Sequence, residues 1–148
     1  MVFNKKRDPF PSLFRLPIRV YFEDTDIGGV VYCANYLKFL ERCRTEWLRS
    51  IGINQSSLLQ EKGIAFIVRS VEIEYLKPAR MDNLVVVDLC IEKITRSQVF
   101  FSQRICLEVA DGLEELVRAR VQVITVNVNP MKIVSIPIEL RAQLEVFK

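Results

Sequence analysis

Two acids one residue apart, Asp24 and Asp26, stand just before Gly28-Gly29 and the apolar run Val30-Val31-Tyr32-Cys33. A carboxylate can take a proton from water or attack a carbonyl carbon itself. Glycines let the backbone approach a ligand closely, and the free amides that open a helix carry roughly half a positive charge, enough to hold an oxyanion. A carboxylate facing such amides is what hydrolysis of an activated acyl compound requires. One well-placed oxyanion donor is worth about 3 to 4 kcal/mol in the transition state. Asp is a weak base, so the substrate has to be reactive, and a thioester suits it better than an amide. Helix capping explains one acid of the pair, because Asp and Thr are favoured just before helices. It does not explain the long approach through two glycines.

The 148-residue chain contains no histidine. This excludes the usual Ser-His-Asp and Cys-His activation of a nucleophile and most zinc sites. Proton transfer near neutral pH is left to Asp, Glu, Tyr, Lys or Cys, and neither a metal nor a cofactor is expected. Cys33, Cys43, Cys90 and Cys106 are widely spaced with no CxxC pair, and read as reduced thiols of a cytoplasmic protein. A net charge of +3 is too small to indicate nucleic-acid binding, though it favours a polyphosphate ligand. No stretch nears the roughly 20 apolar residues of a membrane span, so integral membrane association is not expected. Residues 1–14, MVFNKKRDPFPSLF, read as a flexible or peripheral tail, with Asp8, Pro9 and Pro11 interrupting what would be the apolar part of a secretion signal.

The elements that must position the acids follow from periodicity. Leu16 to Glu23 alternates as a strand. From Asn35 to Ile51 the period changes: Tyr36, Leu40, Cys43, Trp47 and Ile51 recur at three- and four-residue spacing, predicting one long, unusually apolar helix that ends at Gly52. Asn54 to Lys62 predicts a short second helix. Strands are predicted over Ile64 to Tyr75, Leu84 to Ile94, Gln98 to Val109 and Glu115 to Val128, the last two joined by an Asp111-Gly112 hairpin. Ile138 to Phe147 predicts a small terminal helix. The order implies a single α+β domain over 1–148 in which an antiparallel sheet curls to cover the long helix.

The stretch Arg19 to Arg49, RVYFEDTDIGGVVYCANYLKFLERCRTEWLR, closely resembles the motif region of the YbgC-type acyl-CoA thioesterases, in the 4-hydroxybenzoyl-CoA thioesterase branch of the hotdog-fold superfamily. The likeness continues through Ala65 to Asn83, AFIVRSVEIEYLKPARMDN. It implies a hotdog fold, a curved antiparallel sheet wrapped round one long helix. It further implies a homo-oligomer, commonly a tetramer built as a dimer of dimers, with sites at subunit interfaces. Carried across the motif, Asp26 matches the catalytic carboxylate, as general base or nucleophile, and the Cys33 backbone amide matches the oxyanion donor. Tyr32, Gly29 and Asn35 are implied neighbours of the substrate. Family members usually carry histidine where this chain has Cys33; a backbone amide survives that change of side chain. A thiol there is read as a neutral, partly buried side chain before a nucleophile, since no histidine is available to assist it.

Arg69, Lys77, Arg80 and Arg96 are each ordinary surface charges when taken singly, and together are the candidates for contacts to CoA phosphates. The expected partner is an acyl-CoA or acyl-carrier thioester. Association with the Tol-Pal cell-envelope system is implied by the family likeness alone. Two other readings compete: an acyl-CoA or acyl-carrier binding or scaffold protein with little turnover, and a β-hydroxyacyl thioester hydratase. The latter chemistry relies on a histidine paired with an acid, which this chain lacks.

Overall fold

The computed structural model describes residues 8–148. Six strands form one antiparallel sheet: β1 (Phe14–Arg19), β2 (Ile64–Tyr75), β3 (Leu84–Ile94), β4 (Gln98–Val109), β5 (Gly112–Val128) and β6 (Met131–Ile133). Their spatial order is β1-β3-β4-β5-β2, with β6 pairing the end of β5. Three helices complete the fold, α1 (Asn35–Ser50), α2 (Gln55–Lys62) and α3 (Ile138–Glu145).

The sheet has to bend. The 17 residues of β5 would span roughly 55 Å if straight, whereas a domain of this length is only about 40 Å across. Register shifts between Val68 and Ser70, Ile91 and Lys93, and Ile105 and Cys106 supply local kinks, since an extra residue on one strand bends it and increases its twist. The concave face so formed holds α1. Tyr36, Phe39, Leu40, Cys43, Trp47 and Leu48 are all buried on one side of that helix, at the spacing a 3.6-residue period requires. They pack against Val85, Val87, Leu89 and Ile91, alternate residues of β3. Trp47 meets Phe101 and Phe147 edge to face, with centroids 5.9 and 5.6 Å apart.

The predicted strand Leu16 to Glu23 stops early. β1 ends at Arg19, and Phe22–Asp24 forms a 3-10 turn, because Asp24 Oδ2 accepts a hydrogen bond from Tyr21 N (2.8 Å) and folds the chain back on itself. β5 begins three residues earlier than predicted, at the Gly112 of the hairpin, and β6 was not foreseen. Residues 8–13 of the anticipated tail lie against the sheet: Leu13 N donates to Leu89 O (2.9 Å), and Asp8 pairs with Arg104 on the outer face. The remainder of that tail, 1–7, is outside the described residues.

Candidate functional site

The chain between β1 and α1 doubles back as a miniature hairpin. Tyr32 N donates to Asp24 O (3.0 Å), Thr25 bridges to Val31, and Asp26 N donates to Val30 O (2.9 Å). This register puts Asp26 diagonally across from Tyr32, a separation of roughly 7 to 8 Å in an antiparallel pair, and Cys33 is the next residue. The turn between them needs its glycines for different reasons. Gly29 has φ +74°, a conformation that side chains disfavour. A Cβ on Gly28 would stand 3.2 Å from Asp26 Oδ1, the oxygen that accepts a 2.8 Å hydrogen bond from Gly28 N. The Asp26 carboxylate is exposed, and Oδ2 has no partner among the described residues.

Asp24 has the opposite environment. It is 8% exposed, and its Oδ1 accepts a 2.8 Å bond from Asn35 Nδ2 while Oδ2 holds Tyr21 N. The two acids therefore divide: Asp24 ties β1 to the start of α1, and Asp26 faces solvent. Asn35, expected to touch substrate, is buried and directs its amide nitrogen inward to Asp24.

At the start of α1 the N-cap, Ala34, offers no side-chain acceptor. Among the described residues the Cys33 and Ala34 amides donate no hydrogen bond, whereas Tyr32 N donates to Asp24 O and Asn35 N to Tyr32 O (2.8 Å). The peptide that follows is held from β2, where Tyr75 Oη donates to Cys33 O (3.0 Å). Partial burial, with Cys33 close by, raises the Tyr75 phenol above its ordinary range, so it remains a donor at neutral pH. Tyr36 lies 5.6 Å from the Tyr75 ring, and its hydroxyl accepts from Ala79 N (3.0 Å). Burial raises the Tyr36 phenol as well.

The β2–β3 connection forms the other wall. Val31 N donates to Ala79 O (2.9 Å) and Val30 bridges to Arg80, which brings Arg80 beside the Asp26 turn. Lys77 lies in the same connection, paired with Glu114 at 3.4 Å. The structure thus gathers Asp26, Gly29, Tyr32, Cys33, Asn35 and Arg80, with Lys77 at the margin. Two predicted residues lie apart within the chain. Arg69 is six residues before Tyr75 on β2, roughly 20 Å along the strand, and Arg96 is in the β3–β4 turn, separated from the site by the full length of β3, roughly 35 Å.

Sequence reasoning did not single out Tyr75, and it did not say which acid of the Asp24/Asp26 pair was structural. Gly28 was visible in the glycine pair. Tyr75 carried no local signal, because its role depends on a residue 42 positions away.

Among the described residues, no cluster of three or more Cys, Asp or Glu could hold a metal ion, and no helix is long and apolar enough to cross a membrane.

Comparison with known proteins agrees with this architecture. The sequence signature of the thioesterase superfamily matches residues 28–111. The acyl-CoA thioesterase YbgC of Haemophilus influenzae is 40% identical over 129 residues, covering 87% of this chain and 92% of the relative. The acyl-CoA thioester hydrolase YbgC of Escherichia coli O6:H1 is 41% identical over 121 residues, 82% of this chain and 86% of its own. In three dimensions, the 4-hydroxybenzoyl-CoA thioesterase of Pseudomonas sp. strain CBS-3 superimposes with a TM-score of 0.79 at 17% identity, covering 87% of this chain and 96% of that one, a likeness of fold. The curled antiparallel sheet around α1 is the hotdog fold, and the chain belongs to the thioesterase superfamily, among the YbgC acyl-CoA thioesterases.

Proposed function

We propose that this protein hydrolyses the thioester of an acyl-CoA or acyl-carrier substrate, with Asp26 as general base or nucleophile and the Cys33 amide as oxyanion donor. The observation that carries this is a solvent-facing carboxylate set across a tight hairpin from an uncapped helix start. The thioester carbonyl would seat its oxygen at the Cys33 N–H, which strengthens its hold as negative charge develops there. Asp26 either takes a proton from water as the C–O bond forms or attacks the carbonyl itself. Collapse of the intermediate breaks the C–S bond, and the leaving thiolate takes up the proton that Asp26 or solvent holds; on the nucleophilic route water then hydrolyses the Asp26 acyl anhydride, freeing the acid and the carboxylate.

Tyr32, 60% exposed, stands beside the same opening as a wall for substrate, and Gly29 permits the turn. Asn35 acts through Asp24 to hold the helix start. Arg80 and Lys77 are placed to meet CoA phosphates at this end of the chain; Arg69 and Arg96 would do so only for a site completed by another subunit. A homo-oligomer is part of the reading, supported by the outer edge of β2, which is unpaired among the described residues.

The test is Asp26→Asn, measured with a panel of acyl-CoAs. The carboxamide is isosteric and exposed, so the melting temperature should hold, while kcat should fall roughly 10²- to 10⁴-fold. Unchanged turnover would remove Asp26 from the mechanism. Binding of acyl-CoA without turnover in the unaltered protein would favour the binding or scaffold reading.

A further inference from the structure

A second feature of α1 lies away from the Asp26 turn. Between the middle of the helix and the concave sheet is a cavity of about 100 Å³, large enough for several waters or the end of an aliphatic chain. Phe66, Val99, Phe101 and Val123 make its apolar wall, and Arg44 fronts it from the helix. Arg44 is 8% exposed. A guanidinium has five N–H donors, and here Nη1 donates to Gln103 Oε1 (2.8 Å), whose own Nε2 is committed to Leu40 O (3.1 Å).

Arg44 forms no ion pair among the described residues. The acid whose charge acts on it is Glu41, beyond ion-pair reach and with Oε1 engaged by Thr45 Oγ1 (2.7 Å). A buried cation lacking a counter-ion is expensive to maintain. Its fork of donors matches the two oxygens of a carboxylate, which it binds bidentately. Glu41, Thr45 and Gln55 also line the cavity, with the Glu41 carboxylate tied to Thr45 and not to Arg44, and the rest of the wall is hydrocarbon.

We infer that this cavity binds a carboxylate carried on a short aliphatic tail, the carboxylate paired with Arg44 and the tail packed on Phe66, Val99 and Phe101. Two sources share that chemistry: the far end of a dicarboxylic acyl group, and a free fatty acid.

The test is calorimetric titration of the full chain with hexanoate and with 1-hexanol. Hexanoate should bind at least about 10-fold more tightly. In Gln103→Glu the new carboxylate takes the place of the ligand's beside Arg44, and the preference should vanish. Val68 lines the same cavity and is 42% exposed on the β2 edge, so Val68→Phe can fill the mouth without straining the core; it should lose hexanoate binding with its melting temperature and sedimentation kept, and it decides the matter if Gln103→Glu does not fold. Equal affinity for the two compounds, no binding, or a preference that survives in both variants overturns the site.

A second arm identifies the source. A kcat/KM for dodecanedioyl-CoA at least about 10-fold above that for dodecanoyl-CoA, lost in the variants, assigns the carboxylate to the acyl group, since eleven residues of helix, roughly 16 Å, separate Cys33 from Arg44. Equal kcat/KM with inhibition by hexanoate assigns it to a free fatty acid. This arm rests on the proposed thioester hydrolysis, whereas the titration does not: a protein that cleaves no thioester yet binds hexanoate through Arg44 refutes the hydrolase reading and leaves the site standing.

Discussion

Asp24 and Asp26 have the same side chain, and their surroundings give them separate work. The Asp24 carboxylate is enclosed and accepts from both Tyr21 N and Asn35 Nδ2. Asp24→Ala should therefore leave two donors without a partner, at a cost of about 2 to 3 kcal/mol. For a protein of this size that lowers the melting temperature by roughly 5 to 10 °C, and thermal denaturation will show it. Asp26→Ala, by contrast, should change stability by less than about 0.5 kcal/mol, as exposed substitutions usually do. Similar losses from the two would remove the distinction. Tyr75→Phe isolates another contact, the hydroxyl that anchors Cys33 O. If that bond sets the aim of the helix start, kcat should fall roughly 5-fold, equivalent to about 1 kcal/mol of transition-state energy, with KM unchanged. A rise in KM at constant kcat would show instead that Tyr75 contacts substrate.

Among the elements, those whose apolar residues repeat with a regular period were legible in the chain. The boundaries of β2, β3 and β4 coincide with their alternating runs, and α1 ends within a residue of its last periodic position, because one buried face is enough to select a period. The 3-10 turn and the docking of residues 8–13 were not legible. The first requires a carboxylate shared with Asn35, 11 residues on, and the second an arginine 96 residues away. The site divides in the same way: the acids and glycines announced themselves locally, while the support from Tyr75 and Ala79 exists only after β2 has paired. The docked segment makes its own prediction. Asp8 lies against Arg104, with Phe10 stacked over the guanidinium at 4.4 Å, and hydrogen bonding to Arg104 holds the Asp8 carboxyl below its ordinary range. A depressed carboxylate contributes stability that is present above the unfolded value of about 3.9 and lost as pH falls through the lower folded one. Asp8→Asn should then lower stability at pH 7 by up to about 1 kcal/mol, since Asp8 is partly exposed. The difference from the unaltered protein should shrink steadily as pH falls below the unfolded value. Burial pushes the neighbouring Asp88 carboxyl the other way, but Asp88 is present in both proteins and largely cancels from the comparison. A gap between the two melting curves that stays the same size as pH falls below the unfolded value would mean that packing, not charge, holds the segment.

On the scale of the whole molecule, the unfinished part is the outer edge of β2. Among the described residues this 12-residue strand pairs only with β5, and Ile67, Val68 and Tyr75 along it are between 36% and 46% exposed. A long edge with apolar side chains invites pairing with another chain unless a charge or proline blunts it. Arg69, at the kink, is the one charged side chain in the first eight residues of the strand. Two copies meeting there would extend the sheet, and could bring the Arg69 and Arg96 of one copy toward the Asp26 turn of the other, which neither approaches within its own chain. Ile67→Lys places a charge beside Arg69 in the apolar half of this edge while leaving the Asp26 turn, α1 and the β2–β3 connection untouched. Sedimentation velocity should show the unaltered protein as an oligomer and Ile67→Lys shifted toward the monomer. If the site is completed across that edge, acyl-CoA hydrolysis should fall at least about 10-fold with the loss of assembly and recover as protein concentration is raised. An unaltered protein that sediments as a monomer at full activity would place the entire site within one chain and leave Arg69 and Arg96 without a part in it.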